Sequence, residues 1–324
     1  MEILVTGGAG FIGSSLVYYH LTQGDTVHVI DDLSTGSLEN LKEVLQHPKL
    51  KCHFVELGNF KNLSKLLQSI DLVYHFAAMV GVLKVVKDPI KVLDINIQET
   101  LFLLDAMRSI QSKARLIMAS TSEVYGEKNI RILSEEHDAR ITSTLSQRKN
   151  YALSKLVDEA YCLSFFVTHD IQVTILRIFN VIGRNQTGAY GMVIPRFIHA
   201  ALKNCPLIVY GSGQQKRSFC DIRDFISILA KIIHEPKTVG CILNIGHDEE
   251  VSIYDVARKI ISFSNSQSKI KRISYMEAYG EEFDDFQTRR PDLTRLKSLI
   301  QFTYQWNLDS SLKDMIEYFR DIQS

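Results

Sequence analysis

The stretch Thr6–Gly13, TGGAGFIG, decides how this chain is read. The apolar run EILVT leads into it, and SLVYYHLTQG follows with apolar residues at helical spacing as far as Gly24. Gly7, Gly10 and Gly13 form GxxGxxG, with Phe11 and Ile12 between the last two. Glycines at such a junction permit a tight turn and let backbone N–H groups at a helix N-terminus approach a pyrophosphate. A glycine triplet alone also fits an ordinary Gly-rich turn. The context favours a dinucleotide site, because a strand precedes, a helix follows, and the second strand, DTVHVIDD, ends in Asp31. A carboxylate there binds the adenosine ribose hydroxyls. It also repels a 2′-phosphate, and Asp32 and Leu33 bring no compensating cation, so the cofactor expected is NAD rather than NADP.

Outward from this motif the pattern repeats. KCHFVEL, DLVYHFAA, ARLIMAS and IQVTILRIFNV read as further strands. NLSKLLQSI, the long stretch from Pro89 to Ile110, and the stretch from Tyr151 to His169 read as helices. Strands alternating with helices predict a parallel sheet covered on both faces, an α/β doubly wound Rossmann fold. The regularity weakens after about Val181. The expected division is an NAD-binding domain over 1–180, with crossover segments at about 215–245, and a smaller α/β substrate domain over 181–324. Ligands of such sheets sit at the C-terminal edge of the strands.

The chain has 324 residues, 45% hydrophobic and 23% charged, with Lys+Arg and Asp+Glu both 37. That balance gives no basic stripe for nucleic acid. An anionic ligand must then be held by a few placed residues rather than by a global field. The five cysteines show no CxxC pair and no histidine at metal-ligand spacing, which predicts reduced thiols and no metal site. Met1 leads directly into a strand, and no apolar run is long enough to span a bilayer, so a cytoplasmic protein without a signal peptide is expected.

Two further features carry chemistry. NYALSK places Tyr151 and Lys155 at i and i+4 on one helix face. A tyrosine near its ordinary pKa is a poor base at neutral pH, and a lysine cation one turn away favours the phenolate. YxxxK also arises by chance, but here it follows a strand ending in ASTSEVYG, which sets Thr121, Ser122 and Glu123 at the mouth of the sheet.

Taken together, TGGAGFIG, DDLSTG, HFAA, Asn96, STSEVYG and YALSK resemble the extended short-chain dehydrogenase/reductase family that modifies nucleotide sugars. RIFNVIG, GMVIPRFI, VYGSGQQKRSF and RRPD follow in the expected order, so the resemblance runs the whole chain. It implies that NAD stays bound while the sugar C4 hydroxyl is oxidised and later reduced. It assigns the pyrophosphate to Gly7, Gly10 and Gly13 and the adenosine ribose to Asp31, with Phe11, Ile12 and Asp32 also in the cofactor site. Phe76, Ala77, Ala78 and Asn96 join the cofactor site. Tyr151 is the implied base, Lys155 the holder of the nicotinamide ribose, and Thr121 a hydrogen-bond partner of the sugar. Val80, Asn180, Val193, Arg196, Tyr210, Arg217 and Arg289 are implied substrate contacts. Two positions depart from the family pattern. An aspartate that usually touches the adenine is missing from Leu57-Gly58-Asn59, so that contact is expected at a backbone group or at Asn59. Arg184 stands where many members have proline.

The fold leaves the reaction open. A 4-keto sugar can be reduced from the other face (4-epimerase), lose water (4,6-dehydratase) or, with a carboxylate at C6, lose carbon dioxide. Epimerases of the family commonly lack a carboxylate after the strand-end serine. Ser122-Glu123 is similar to UDP-glucuronate decarboxylases, the UDP-xylose synthases, and to the decarboxylase domain of ArnA. GDP-mannose 4,6-dehydratases also carry a Thr-Ser-Glu here. TRRPD resembles the RKPD segment of the decarboxylases, which makes Arg289 a catalytic candidate. The less favoured readings are that Glu123 caps the next turn or pairs with a surface lysine, and that Arg289 with Arg290 forms a solvated charge run. AAMVGVLKVVKDP, in contrast, is not the Pro-rich loop of the xylose synthases. The expected reaction is oxidative decarboxylation of UDP-glucuronate, with epimerase and dehydratase as alternatives. A silent NAD-binding regulator is the non-enzyme alternative, against which Thr121, Tyr151 and Lys155 argue. The resemblance further implies a homodimer docked through the two long helices as a four-helix bundle.

Overall fold

β1 (Glu2–Thr6) buries Ile3, Leu4 and Val5 completely, as a strand apolar on both faces must in the middle of a parallel sheet. The other strands of its sheet are β2 (Thr26–Ile30), β3 (Leu50–His53), β4 (Leu72–His75), β5 (Arg115–Thr121), β6 (Val173–Ile178) and β7 (Ile242–Ile245). Their order is β7-β6-β5-β4-β1-β2-β3. The chain therefore builds outward to β3, returns to the other side of β1, and builds outward again. The crevice at such a reversal is where ligands of open α/β sheets bind. The register sets Thr6 beside Ile30 on one side and His75 on the other, so the C-terminal ends of β1, β2 and β4 form one rim.

The computed structural model describes residues 1–81, 85, 88–126, 130–141, 149–188, 192–279 and 287–322. The chain divides into two compact units. The first comprises Met1–Val124, Ser143–Arg177 and Leu229–Leu243. Besides the sheet it holds α1 (Phe11–Thr22), α2 (Leu63–Leu67), α3 (Pro89–Ser109) and α4 (Asn150–His169). α3 begins where Asp88 accepts from Lys91 N and Pro89 takes the first helical position, a start that needs no proline N–H. α3 and α4 pack on each other. Leu103, Leu104 and Met107 of α3 and Cys162 of α4 join Leu116, Met118, Val173 and Ile175 of the strands in one core. Full burial of such a side chain is worth about 1.5–3 kcal/mol. α4 ends at Asp170, in the left-handed region at φ 55°.

The second unit comprises Tyr125–Thr142, Ile178–Ile228 and Asn244–Ser324. α5 (Val193–Leu202), α6 (Ile253–Ser264) and α7 (Leu308–Asp321) close around Leu207–Tyr210, burying Phe197, Val209, Ile260, Met315 and Phe319. α7 starts with a reciprocal cap between Asn307 and Ser310. Short paired strands supply the rest, among them Ile132–Leu133 beside Arg290–Pro291 and Lys216–Ser218 against Glu250–Ser252. Arg184 grips Asp314 of α7 through Nε at 3.0 Å and Nη2 at 2.6 Å, which gives this departure from proline a structural role. No helix among the described residues is long and apolar enough to cross a membrane.

Candidate active site

The three glycines of the first loop answer three different needs. Gly7 has φ 72°, and a Cβ there would lie 2.7 Å from Ala77 N. A Cβ on Gly13 would lie 2.0 Å from the Gly7 carbonyl, so only glycine lets the first turn of α1 sit on the loop. Gly10 is the N-cap of α1; a Cβ there would meet only Gly7 O, at 3.2 Å. No side chain caps this helix, and its first turn carries no acidic residue. The first N–H groups of α1 are thus left for an anion, with the helix dipole behind them.

Asp31 stands at the end of the adjacent strand, 7% exposed. Its Oδ2 accepts from Ala9 N at 2.9 Å and its Oδ1 from Leu33 N at 2.8 Å. Burial pushes its pKa up, and the two N–H bonds pull the other way. Each oxygen keeps a second lone pair, as a pair of ribose hydroxyls requires. The glycine cradle, the uncapped helix and this oriented carboxylate fit NAD. Asp32 accepts from Ser34 N at 2.9 Å. Leu57–Asn59 form a single tight turn in which Asn59 donates its amide to Glu56 Oε2 at 2.8 Å. Gly58 N points at the carboxylate of Glu99, 3.1 Å from both oxygens.

The segment after β4 is tied down from both sides. Phe76 N donates to Thr6 O and Ala77 N to Thr6 Oγ1. Met79 N donates to Asn96 Oδ1 at 2.7 Å, just beyond Ala78 and before Val80. Asn96 then donates to Ser154 Oγ at 2.9 Å, and Ser154 Oγ to the Tyr151 carbonyl at 2.9 Å. Asn96 thus joins the cofactor segment to the turn of α4 that carries Tyr151. The Tyr151 ring packs with Met79, Val85, Val92 and Ile95.

Four residues further along α4, Lys155 is 1% exposed. Its ammonium lies 2.9 Å from Asp158 Oδ2. Asp158 is fully buried, and its Oδ1 has no hydrogen-bond partner among the described residues. Burial raises the pKa of Asp158, and Lys155 lowers it. His75, also against Lys155, is pushed down to about 3, chiefly by burial. Its protons follow from its neighbours. Thr100 Oγ1 donates to Asn96 O, so it accepts from His75 Nε2, and Nδ1 accepts from Thr6 Oγ1.

β5 ends in Thr121, 6% exposed, and Ser122, the first residue of the turn that follows, is fully buried. Thr121 Oγ1 accepts from Glu123 N at 3.2 Å, so this backbone turn sets the start of Ser122–Tyr125. One residue earlier, Ser120 donates to Glu159, which also takes Arg177 in a two-pronged pair.

The remaining expected contacts lie in the second unit. Asn180 Nδ2 donates to Ser218 O at 2.9 Å, next to Arg217, which is 8% exposed. Val193 opens α5, and Arg196, one turn on, lies 4.4 Å over the Tyr210 ring, its buried Nε without a hydrogen-bond partner among the described residues. Arg289 is 9% exposed and precedes the strand residues Arg290 and Pro291. Tyr125 donates to Asn244, and Asn244 donates to Leu133 O and Asp292 O, which fixes the RRPD segment. Residues 82–84 and 86–87 of the loop after Val80, like 189–191 and 280–286, lie outside the described residues.

Ser154, Asp158, Glu159 and Glu99 were not among the residues expected from sequence. The pair DE directly after YALSKLV was the available signal for two of them.

A family model described as NAD dependent epimerase/dehydratase family matches residues 3–246. Among known proteins, the chain is 35% identical over 322 residues to a UDP-N-acetyl-alpha-D-glucosaminuronate decarboxylase of Bacillus cytotoxicus, covering 99% of this chain and 98% of that one. It is 33% identical over 319 residues to UDP-glucuronic acid decarboxylase 1 of Xenopus tropicalis, covering 98% and 72%. Among solved structures, UDP-glucuronic acid 4-epimerase from Bacillus cereus, in complex with UDP-glucuronic acid and NAD, superposes with a TM-score of 0.89 at 30% identity, covering 99% of this chain and 100% of that one.

Proposed function

The chain belongs to the NAD dependent epimerase/dehydratase family, and from that premise we propose that it oxidatively decarboxylates a UDP-linked hexuronic acid, UDP-glucuronate first, through a 4-keto intermediate. The observation that carries decarboxylation over the other outcomes is the end-to-end similarity to decarboxylases, joined to a carboxylate, Glu123, at the end of β5.

NAD, held by the glycine loop and Asp31, supplies the two-electron acceptor for the sugar C4 carbon. Tyr151 takes the C4 hydroxyl proton, and Lys155 favours its phenolate and holds the nicotinamide ribose. Thr121 hydrogen-bonds the sugar. Once C4 is a ketone, the C6 carboxylate is a β-keto acid. The C5–C6 bond electrons pass into the C4 carbonyl as carbon dioxide leaves. Arg289 holds the carboxylate, and the negative charge of Glu123 disfavours that of the substrate, so the ground state is not over-stabilised. Arg217, Asn180, Val193, Arg196 and Tyr210 take the nucleotide diphosphate.

The C2 substituent of the sugar, hydroxyl or acetamido, separates the two decarboxylase relatives. A second reading, 4-epimerisation of UDP-glucuronate, is favoured by the structural match to the Bacillus cereus enzyme. Mass spectrometry of the protein incubated with NAD and each UDP-uronate decides among them. Loss of one carbon dioxide supports the proposal, an unchanged mass with an inverted C4 supports the epimerase, and loss of water contradicts both. We place the protein in the cytoplasm, in keeping with its five free cysteines. We also infer a homodimer through α3 and α4, supported by exposed Ile90, Phe102 and Val167 on those helices.

A further inference from the structure

Glu99 is a carboxylate that the reaction above does not use. It projects from α3 and is 7% exposed. It faces the turn after β3, with both oxygens 3.1 Å from Gly58 N. Gly58 has no side chain, and a Cβ there would come within 3.4 Å of Glu99 Oε1, so this carboxylate bounds the space that a side chain at 58 would take. Asp32, next to the ribose-binding Asp31, and Glu56 are the charged groups that act on it. Burial contributes most and the two carboxylates add, lifting Glu99 to about 7.

These facts place Glu99 at the adenosine end of the cofactor site. β2 and β3 are neighbours, so the turn after β3 borders the ribose carboxylate at the end of β2. A carboxylate offers about four acceptor positions, and the N–H groups of the 57–58 turn fill only part of them. With Glu56 and Asp32 as the charges that act on it, what stabilises it further is an N–H donor. No group of acidic, histidine or cysteine side chains among the described residues is arranged to hold a metal ion there. The adenine base carries such a donor in its exocyclic amino group.

We propose that Glu99 reads the 6-amino group of the NAD adenine, supplying from α3 the carboxylate that the Leu57-Gly58-Asn59 turn lacks. The inference rests on the NAD reading, and the test separates the two. Isothermal titration calorimetry of the full chain with NAD, and with nicotinamide hypoxanthine dinucleotide, compares an amino donor with a carbonyl acceptor at the same ring position. The wild type is expected to bind NAD about tenfold or more tighter, the range of a hydrogen bond to a charged group. Glu99→Ala should bring the two affinities together, and Glu99→Gln, whose amide can also donate, should narrow or invert the ratio. Equal binding by the wild type, or an undiminished NAD preference in both variants, overturns the assignment of Glu99 while leaving NAD in place. A wild type that binds neither dinucleotide overturns the cofactor reading and this inference with it.

Discussion

Asp158 and Glu159 are neighbours on α4, and each is buried against a cation, yet they are satisfied very differently. Glu159 takes Arg177 Nε at 3.0 Å and Nη2 at 2.8 Å, and the Ser120 hydroxyl as well. That set ties α4 to β5 and β6 at a fixed geometry, as two-pronged guanidinium pairs do. Asp158 faces Lys155 at 2.9 Å, with Thr100 also acting on it, and its Oδ1 has no partner among the described residues. A lysine on a flexible stem with one partner keeps donors for something else. The difference separates two kinds of buried charge: the two-pronged pair fixes the helix, and the Lys155–Asp158 pair sits one turn from Tyr151, where the proposed chemistry needs a cation.

The largest expected effect falls on the side of the Lys155–Asp158 pair. Tyr151→Phe should cut turnover by about 10²–10⁴-fold, the usual share of a positioned base, while NAD binding measured by calorimetry stays near wild type. Activity surviving that change would remove α4 from the chemistry. On the side of the two-pronged pair, Glu159→Ala leaves Arg177 buried without its carboxylate and should cost about 3–5 kcal/mol in urea denaturation. If Glu159→Ala costs almost nothing, the two pairs do not differ in the way described.

Acid sharpens the comparison. His75 is held at about 3, well below its ordinary value, by burial and by Lys155. Below about pH 6.5 the unfolded chain takes up a proton that the folded chain refuses, so stability falls as pH drops from there toward 3. His75→Gln should flatten that decline by about 1.4 kcal/mol per pH unit, read from denaturation midpoints between pH 6.5 and 4.5. The smallest effect is on a pH profile. Asp158→Asn leaves the Lys155 ammonium buried without a counter-charge, which favours the neutral amine and weakens its pull on Tyr151. The acidic limb of kcat/KM should then move up by about one unit. An unmoved limb would make Asp158 a packing residue only.

The first unit was largely legible in the sequence, because its period is regular. GxxGxxG between a strand and a helix, apolar strands and two long amphipathic helices give the sheet and its switch point. β7 was the strand missed; ILNI is four residues long and lies within the crossover segment. Tyr151, Thr121 and Asp31 could be placed in the candidate site from the sequence because each sits at a fixed offset from a strand end or motif. Glu99 was not, since a glutamate on an amphipathic helix reads as solvent-facing until the 57–59 turn folds over it. Asp158 was hidden for the same reason. Arg184 read as an oddity, and only its pairing with Asp314, far along the chain, gives it a place.

The most direct test of the central claim follows the carbon itself. The protein is given NAD and UDP-glucuronate labelled at the carboxylate, and in parallel the acetamido analogue, and the gas phase is assayed for labelled carbon dioxide. The account predicts release by the wild type from at least one of the two, and none by Tyr151→Phe, because the carboxylate becomes labile only after C4 is oxidised. Label retained in the sugar by an active wild type would contradict it.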